Sequence, residues 1–361
     1  MRMLILCILI LATGSCACAE DSEPARIFEF AESQGAGELV HAVYEASMDG
    51  EISAWDAVID WIKTKTFQPV KRVLKTALSS IVPVMLLAMV RACIPGGYGG
   101  GEGAGFLLRI LLLLGFFDLA ELSLTAAEKC IHLVKDFTDA AAPGIAAILN
   151  SMGMNGMASL ASPAAALTGG IAEGIFLKYG VPLCKLALCS AIAGSLSEII
   201  DLSRFTKLMK KTANWGTGLI STLFTAMVAL QGSVTEAIDT VGVRTAKFAA
   251  DSAAPVIGNG VTDAWESFVS GVMITKNALG VSGLTALLAV GLQPLLCCIS
   301  AMLALTLIAA LLELFGERET ARAAEQVGGI CQMALSLSTG ALVITAVLLG
   351  AAMSAGKSFF A

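Results

Sequence analysis

Four ionisable residues lie inside stretches of sequence that are otherwise apolar enough to cross a membrane. Arg109, Asp118 and Glu121 share one predicted span, and Lys185 lies in another. A charge in hydrocarbon is costly unless it is paired or hydrated. A helix places Asp118 and Glu121 on one face, from which they can pair with Lys185 or line a polar path. In the alternative arrangement, Arg109 extends to one membrane interface and both acidic residues lie near the other.

The chain contains few residues that support catalysis. It has two histidines, His41 and His132, and none of the spaced patterns of serine hydrolases, phosphate-binding loops or zinc enzymes. The glycine-rich segment 96–105 partly matches a dinucleotide-binding fingerprint, but it joins two predicted spans and no strand is predicted before it. We therefore predict that the protein is not an enzyme and that it binds no cofactor, metal or nucleic acid.

The composition is that of a membrane protein. Of the 361 residues, 56% are hydrophobic and 14% are charged, and the mean hydropathy is +0.80. Soluble domains have about 25% charged residues, so a soluble globular protein is excluded. Because the backbone of a segment in lipid must satisfy its own hydrogen bonds, we predict an all-α, polytopic helical membrane protein.

The N-terminus is typical of an exported protein. Residues 1–19 combine Arg2, an apolar run and a final Ala17-Cys18-Ala19, which predicts a cleaved signal peptide. A lipoprotein signal with Cys16 as the modified residue is the alternative. Residues 20–75 are rich in acidic residues and have apolar residues at helical spacing, which predicts a small exported helical region.

Apolar stretches predict membrane helices in two blocks, 76–232 and 278–361. The predicted spans are 76–94, 104–125, 178–200, 214–232, 278–312 and 328–354. The run 278–312 is longer than one crossing requires, and Gln293-Pro294 lies near its middle. It is predicted to form either one kinked, tilted helix or a hairpin of two short helices.

The segment 140–170 differs from the other apolar stretches. It consists largely of Ala, Gly, Met and Ser, and it contains Pro143 and Pro163. These residues favour a broken or re-entrant element packed against other helices. The basic residues at 204–211 are predicted to be cytoplasmic by the positive-inside rule, and this agrees with an exported N-terminus only if 140–170 does not cross. On that topology, 233–276 is exported.

Residues 233–277 interrupt the membrane block with a more polar sequence. Apolar residues at helical spacing predict two amphipathic helices, the first ending near Ala254-Pro255. A turn is predicted at Gly258-Asn259-Gly260. Such a hairpin suits docking on a partner protein or on the surface of the lipid bilayer.

In this region the chain resembles the stage III sporulation protein AE family. The resemblance rests on a glycine and an R-T-A-K-F core, a Pro-Val-hydrophobic-Gly segment, a Thr-Asp pair and a Lys-Asn pair followed by spaced glycines. The matching residues are Gly242, Arg244, Thr245, Lys247, Phe248, Pro255, Gly258, Thr262, Asp263, Lys276, Asn277, Gly280 and Gly283. The signal peptide, the acidic N-terminal region and the several spans match the family as well.

The resemblance implies a role in endospore formation. It implies a non-enzymatic subunit in the mother-cell membrane that joins other stage III sporulation proteins and a forespore membrane partner in a channel-like or secretion-like complex. No catalytic residues come with the family. The competing hypotheses are a self-contained transporter, with Arg109, Asp118, Glu121 and Lys185 as its polar path, and a purely structural anchor.

Overall fold

The structure is a computed structural model in which all regular structure of the described residues is helical. These residues are 24–49, 70–79, 82, 100–151, 154–196, 202–253, 258–314 and 317–354, and for 231–253 and 258–270 they comprise the backbone alone. The all-α prediction is confirmed for them. The predicted signal peptide, 1–19, and most of the predicted span 76–94 lie outside the described residues.

Several of the helices are much longer than a membrane is thick. The helices are α1 (Pro24–Ser33), α2 (Gly37–Asp49), α3 (Gly100–Ser151), α4 (Asn155–Ile171), α5 (Val181–Leu196), α6 (Ser203–Ala253), α7 (Gly258–Leu314) and α8 (Arg318–Ser354). A π-helical segment, Ala172–Gly180, joins α4 to α5. With 52, 51 and 57 residues, α3, α6 and α7 are each about 80 Å long, against a hydrocarbon core of about 30 Å.

Five helical stretches among the described residues are long and apolar enough to cross a membrane. They are Arg109–Ser151, Pro163–Leu196, Arg204–Leu230, Gly271–Leu314 and Arg318–Met353. Each of the five predicted spans from 104–125 onward overlaps one of these stretches. The chain is therefore a multi-pass helical protein, as its composition predicts.

Helices α7 and α8 form a closely packed antiparallel pair. A Cβ atom at Gly280 would overlap the side chain of Met353, and a Cβ atom at Gly291 would overlap that of Leu342. From the first contact to the second, the residue number increases on α7 and decreases on α8. The two helices therefore run in opposite directions. The missing side chains let the backbones approach, as small residues do in membrane helix packing.

Helix α3 packs on the same pair and is antiparallel to α7. The thiol of Cys298 lies 3.4 Å from the backbone oxygen of Ser123. Farther along, Phe137 of α3 packs beside Gly283 of α7. Helix α3 therefore points in the same direction as α8.

Helix α6 packs on α8 and runs parallel to it. The Lys210 side chain lies across Gly329. Farther toward the C-terminal end of both helices, Thr217 lies against Gly340. Helix α5 precedes α6 as its antiparallel partner, and the hydroxyl oxygens of Ser190 and Thr206 are 2.9 Å apart at their contact. The bundle thus has one end formed by the first residues of α3, α6 and α8 and the last residues of α5 and α7.

The N-terminal helices pack directly on the bundle. The ring centroids of Phe30 and Phe137 are 5.5 Å apart, which joins α1 to α3. Leu39 and Val43 of α2, with Ala36 just before it, form a buried cluster with Ala289 and Val290 of α7. The acidic N-terminal region thus covers part of the longest apolar run.

One local prediction is wrong, and one of two open alternatives is excluded. Helix α7 begins at Gly258, so Gly258-Asn259-Gly260 is helical and not a turn. The same helix continues through Pro294 to Leu314, so 278–312 is a single helix and not a hairpin of two short ones. At Pro294, the packing of a long helix against its neighbours overrides the local preference of proline to end a helix.

The segment 140–170 divides at a point other than its prolines. Pro143 lies inside α3 and Pro163 lies inside α4. The helices are separate between Ser151 and Asn155, and α4 then returns along α3, since Gly169 lies near Lys135. The segment therefore comprises the end of α3 and the start of α4, which lie side by side as a helical hairpin.

Candidate functional site

Arg109 lies at one end of the bundle and pairs with acidic residues at the start of α8. Its guanidinium nitrogens lie 3.8 Å from a carboxylate oxygen of Glu317 and 3.4 Å from one of Glu319. The Glu317 side chain is 5% exposed, whereas that of Glu319 is 62% exposed. Arg109 thus ties the start of α3 to the start of α8, at a distance from the other charges predicted to share a path with it.

Lys185 pairs with a residue that sequence reasoning missed. Its ammonium nitrogen lies 2.5 Å from a carboxylate oxygen of Glu128. Glu128 lies two helical turns after Glu121 on α3. The contact therefore joins α5 to a part of α3 that is closer to its C-terminal end. The structure therefore does not bring Lys185 to Asp118 or Glu121 as an ion-pair partner.

Asp118 and Glu121 point away from the bundle. Both residues are exposed, and neither forms an ion pair or side-chain hydrogen bond within the described part of the chain. On the same face, one and two turns earlier, Leu114 and Leu111 are exposed as well. The outward face of α3 thus changes from apolar to acidic along its length.

The polar character of this face continues beyond the predicted end of the span at residue 125. The other exposed ionisable residues on it are Lys129, His132, Asp136 and Asp139. Their spacing of three or four residues continues the spacing of Asp118 and Glu121, and this is the signal that could have found them. We call the exposed residues 111–139 of α3 the α3 outer face.

Helix α7 presents a different surface at the same depth in the bundle. Its large exposed side chains there are leucines, Leu303 and Leu307. The contact of Cys298 with Ser123, together with the antiparallel packing, places Leu303 level with Asp118. Lipid can cover leucines, but a lipid-facing charge near the middle of a membrane helix costs about 3 kcal/mol. Asp118 and Glu121 therefore call for water or protein beside them.

The residues of the sporulation-family pattern lie along the second half of α6 and the first half of α7. Only the backbone is described for Gly242, Arg244, Thr245, Lys247, Phe248, Gly258, Thr262 and Asp263, which is helical at each. Pro255 lies outside the described residues. These helical segments extend beyond the candidate spans Arg204–Leu230 and Gly271–Leu314. They continue the membrane helices directly, at the bundle end opposite Arg109.

The last part of the pattern belongs to the packed interior. Lys276 is only 6% exposed, while its neighbour Asn277 is exposed. Gly280 and Gly283 lie where α7 meets α8 and α3, and a Cβ atom at Gly280 would overlap Met353. These two glycines thus serve helix packing.

Comparisons with known proteins agree with these observations. The sequence model of the family described as stage III sporulation protein AE matches residues 54–356. A protein of Bacillus subtilis (strain 168), named stage III sporulation protein AE, is 25% identical over 211 residues, which are 58% of this chain and 52% of the relative. The match thus spans about half the length of that relative. No solved structure matches the chain.

Proposed function

Since the chain belongs to the stage III sporulation protein AE family, we propose that it is a non-enzymatic membrane subunit of a channel-like, secretion-like complex required for endospore formation. The proposal places it in the mother-cell membrane around the forespore. Its proposed partners are other stage III sporulation membrane proteins and a protein of the forespore membrane.

One structural observation supports an assembly over a chain that works alone. The α3 outer face carries the exposed acidic residues Asp118 and Glu121 level with the exposed leucine Leu303 of α7. Lipid that reaches the depth of Leu303 solvates the leucine but does not solvate the carboxylates, which is unfavourable. A complex that supplies water or protein at this face removes the cost.

The competing transporter hypothesis needs its four charges to converge within one chain. Arg109 instead pairs with Glu317 and Glu319, and Lys185 pairs with Glu128. Two of the four thus have other partners. This arrangement favours the subunit hypothesis over the self-contained transporter.

The C-terminal end of α6 and the N-terminal end of α7 are the proposed docking site for a partner on the exported side. The basic residues 204–211 lie at the opposite end of the bundle, and the positive-inside rule assigns that end to the cytoplasm. On this orientation, Arg244 and Lys247 extend from the exported side. Helices that extend this far beyond the membrane can reach a protein anchored in a second, facing membrane.

The test is complementation of a strain that lacks this chain. The deletion strain is expected to complete engulfment and then to yield few heat-resistant spores. Arg244→Ala combined with Lys247→Ala should insert normally but recover less of the forespore-side partner on co-purification. Arg318→Ala combined with Arg322→Ala, at the other end of the bundle, is the matched control.

Two outcomes would contradict the proposal. Normal spore numbers in the deletion strain would remove the sporulation role. Equal partner recovery by the Arg244/Lys247 variant and its control would remove the docking site, while leaving the sporulation role in place.

A further inference from the structure

Two exposed surfaces of the bundle carry opposite charge. On the α3 outer face these are Asp118 and Glu121, and on α6 they are Lys207 and Lys211. None of the four residues takes part in an ion pair within the described residues. Each surface also has large apolar side chains beside its charges. The α6 surface, which we call the α6 outer face, comprises the exposed residues among 204–219.

The contacts of α8 fix the depth of the α6 outer face. Lys210 lies across Gly329 of α8, and the adjacent Gly328 packs against Leu305 of α7 at van der Waals distance. The ammonium end of Lys210 is therefore level with Leu305 along the bundle axis, while the short side chain of Thr217 against Gly340 places the Lys210 backbone up to about one turn farther along α8.

The contact between α7 and α3 carries this depth over to the α3 outer face. Cys298 of α7 touches Ser123 of α3. Leu305 lies two turns from Cys298, and the helices are antiparallel, so Leu305 is level with Phe116, two turns from Ser123. The ammonium end of Lys210 is thus level with Phe116. It follows that Lys211 lies within about one turn of the depth of Asp118, and Leu208 within about one and a half turns of the depth of Leu114.

The two outer faces also point the same way along the bundle. Helix α3 is antiparallel to α7, α7 is antiparallel to α8, and α6 is parallel to α8, so α3 and α6 are parallel. Two copies inserted in the same orientation can therefore bring one copy's α3 against the other's α6 without either copy tilting. The apolar side chains of the two faces then meet over about two helical turns. The residues of opposite charge meet over the following turn.

We propose that the α3 outer face is covered by the α6 outer face of a second copy of this chain. In this contact, Leu208 packs near Leu114, and the carboxylate of Asp118 pairs with the ammonium of Lys211. The contact joins different surfaces of the two copies, so repetition of it produces a closed ring when the rotation between copies closes.

A second copy explains the charge pattern better than lipid does. Lipid would solvate the exposed leucines but not Asp118, and water would solvate Asp118 but not the leucines, whereas a neighbouring copy supplies apolar side chains and a cation together. Between two copies, such a pair is screened less than an exposed pair is in water.

Cross-linking between two differently tagged copies tests this contact. One copy carries Leu114→Cys and the other carries Leu208→Cys, and a short bis-maleimide is added to membranes that contain this protein alone. The control replaces the second copy by Leu307→Cys, on α7. The control is closely matched, because Leu208 and Leu307 are 56% and 57% exposed and lie at nearly the same depth. All variants carry Cys189→Ser, since Cys189 is the exposed cysteine of the described residues.

The expected result is a mixed-tag product from Leu114→Cys with Leu208→Cys at severalfold the yield of the control pair. Equal yields from the two pairs would overturn the proposal. The absence of any mixed-tag product would overturn it as well. Because no other sporulation protein is present, either negative result leaves the proposed channel role to its own test in sporulating cells.

Charge reversal tests the ionic part of the contact. Asp118→Lys in the copy that carries Leu114→Cys should lower the cross-link yield by about fivefold, the upper end for an exposed ion pair. Lys211→Asp in the other copy should restore it. Yields are expressed per inserted chain, so that a variant that inserts poorly is still informative. An unchanged yield with Asp118→Lys, or a loss that Lys211→Asp does not reverse, would exclude the Asp118–Lys211 pair.

Discussion

The outer surfaces of α3 and α7 lie at one depth but have different chemistry. Asp118 and Leu303 are level with each other, and both point away from the bundle. Lipid solvates the leucine side chain, but it does not solvate the carboxylate. The difference teaches that the perimeter of this bundle is not uniform: one side suits hydrocarbon and another requires a polar neighbour.

The largest expected effect comes from making the α7 surface resemble that of α3. Leu303→Asp should cost about 3 kcal/mol of insertion free energy, because it presents a carboxylate to lipid. The measurement is the carbonate-resistant fraction of the chain in membranes. Asp118→Asn, at the same depth, is the control and should insert as well as the unchanged chain. If Leu303→Asp also inserts normally, α7 does not face lipid and the contrast between the two surfaces fails.

A smaller effect is expected on the side of α7 that faces α8. Gly291→Ala places a Cβ atom 2.6 Å from a methyl carbon of Leu342, and overpacking of this kind costs about 1–3 kcal/mol. Thermal unfolding in detergent, followed by a dye that reacts with the buried cysteines, would show a lowered midpoint.

The matched control for this packing experiment is Gly350→Ala, on α8. A Cβ atom there meets nothing within 4 Å, so the change should be neutral or stabilising by up to about 1 kcal/mol, as expected for an open helical site. Equal midpoints for both variants would show that α7 and α8 separate easily enough to absorb a methyl group.

The smallest effects concern the charges of α3 that have partners within the chain. Arg109→Ala should cost about 1.5 kcal/mol, because Glu317 is buried and its carboxylate would lose a nearby cation that water only partly replaces. Lys185→Ala should cost less than about 1 kcal/mol, since the Lys185–Glu128 pair is largely exposed. Unfolding midpoints of the two variants measure the difference. A larger loss of stability for Lys185→Ala than for Arg109→Ala would contradict this order. It would mean that another protein covers the Lys185–Glu128 pair in the membrane.

Much of the architecture was predictable from sequence because the membrane imposes strong rules. Long apolar runs predicted the five described spans, and the segment 140–170 lies where α3 ends and α4 begins. The turn predicted at Gly258-Asn259-Gly260 is wrong, because α7 begins at Gly258. The sequence left one helix or a hairpin open at Pro294, and the neighbours of α7 hold it there as one helix.

The candidate site was only partly predictable. Asp118 and Glu121 stood out as acids in an apolar run, but their orientation did not. The pairing of Lys185 with Glu128 depends on how far α5 lies along α3, and nothing local to Lys185 encodes that distance. For Arg244 and Lys247, the sequence pattern remains the basis of the proposed docking role.

The sequence by itself determined that this is a multi-pass helical membrane protein, which segments are apolar enough to cross, and which family pattern it carries. Only the tertiary structure decided which side of each helix is buried, and at what depth residues of different helices meet. The reason is physical: in a bilayer, a helix face that packs on protein and one that faces lipid are both apolar, so hydropathy does not distinguish them. The contacts at Ser123, Gly291 and Gly329 make that distinction. They place Asp118 and Lys211 within about one turn of the same depth, on which the proposed contact between copies depends.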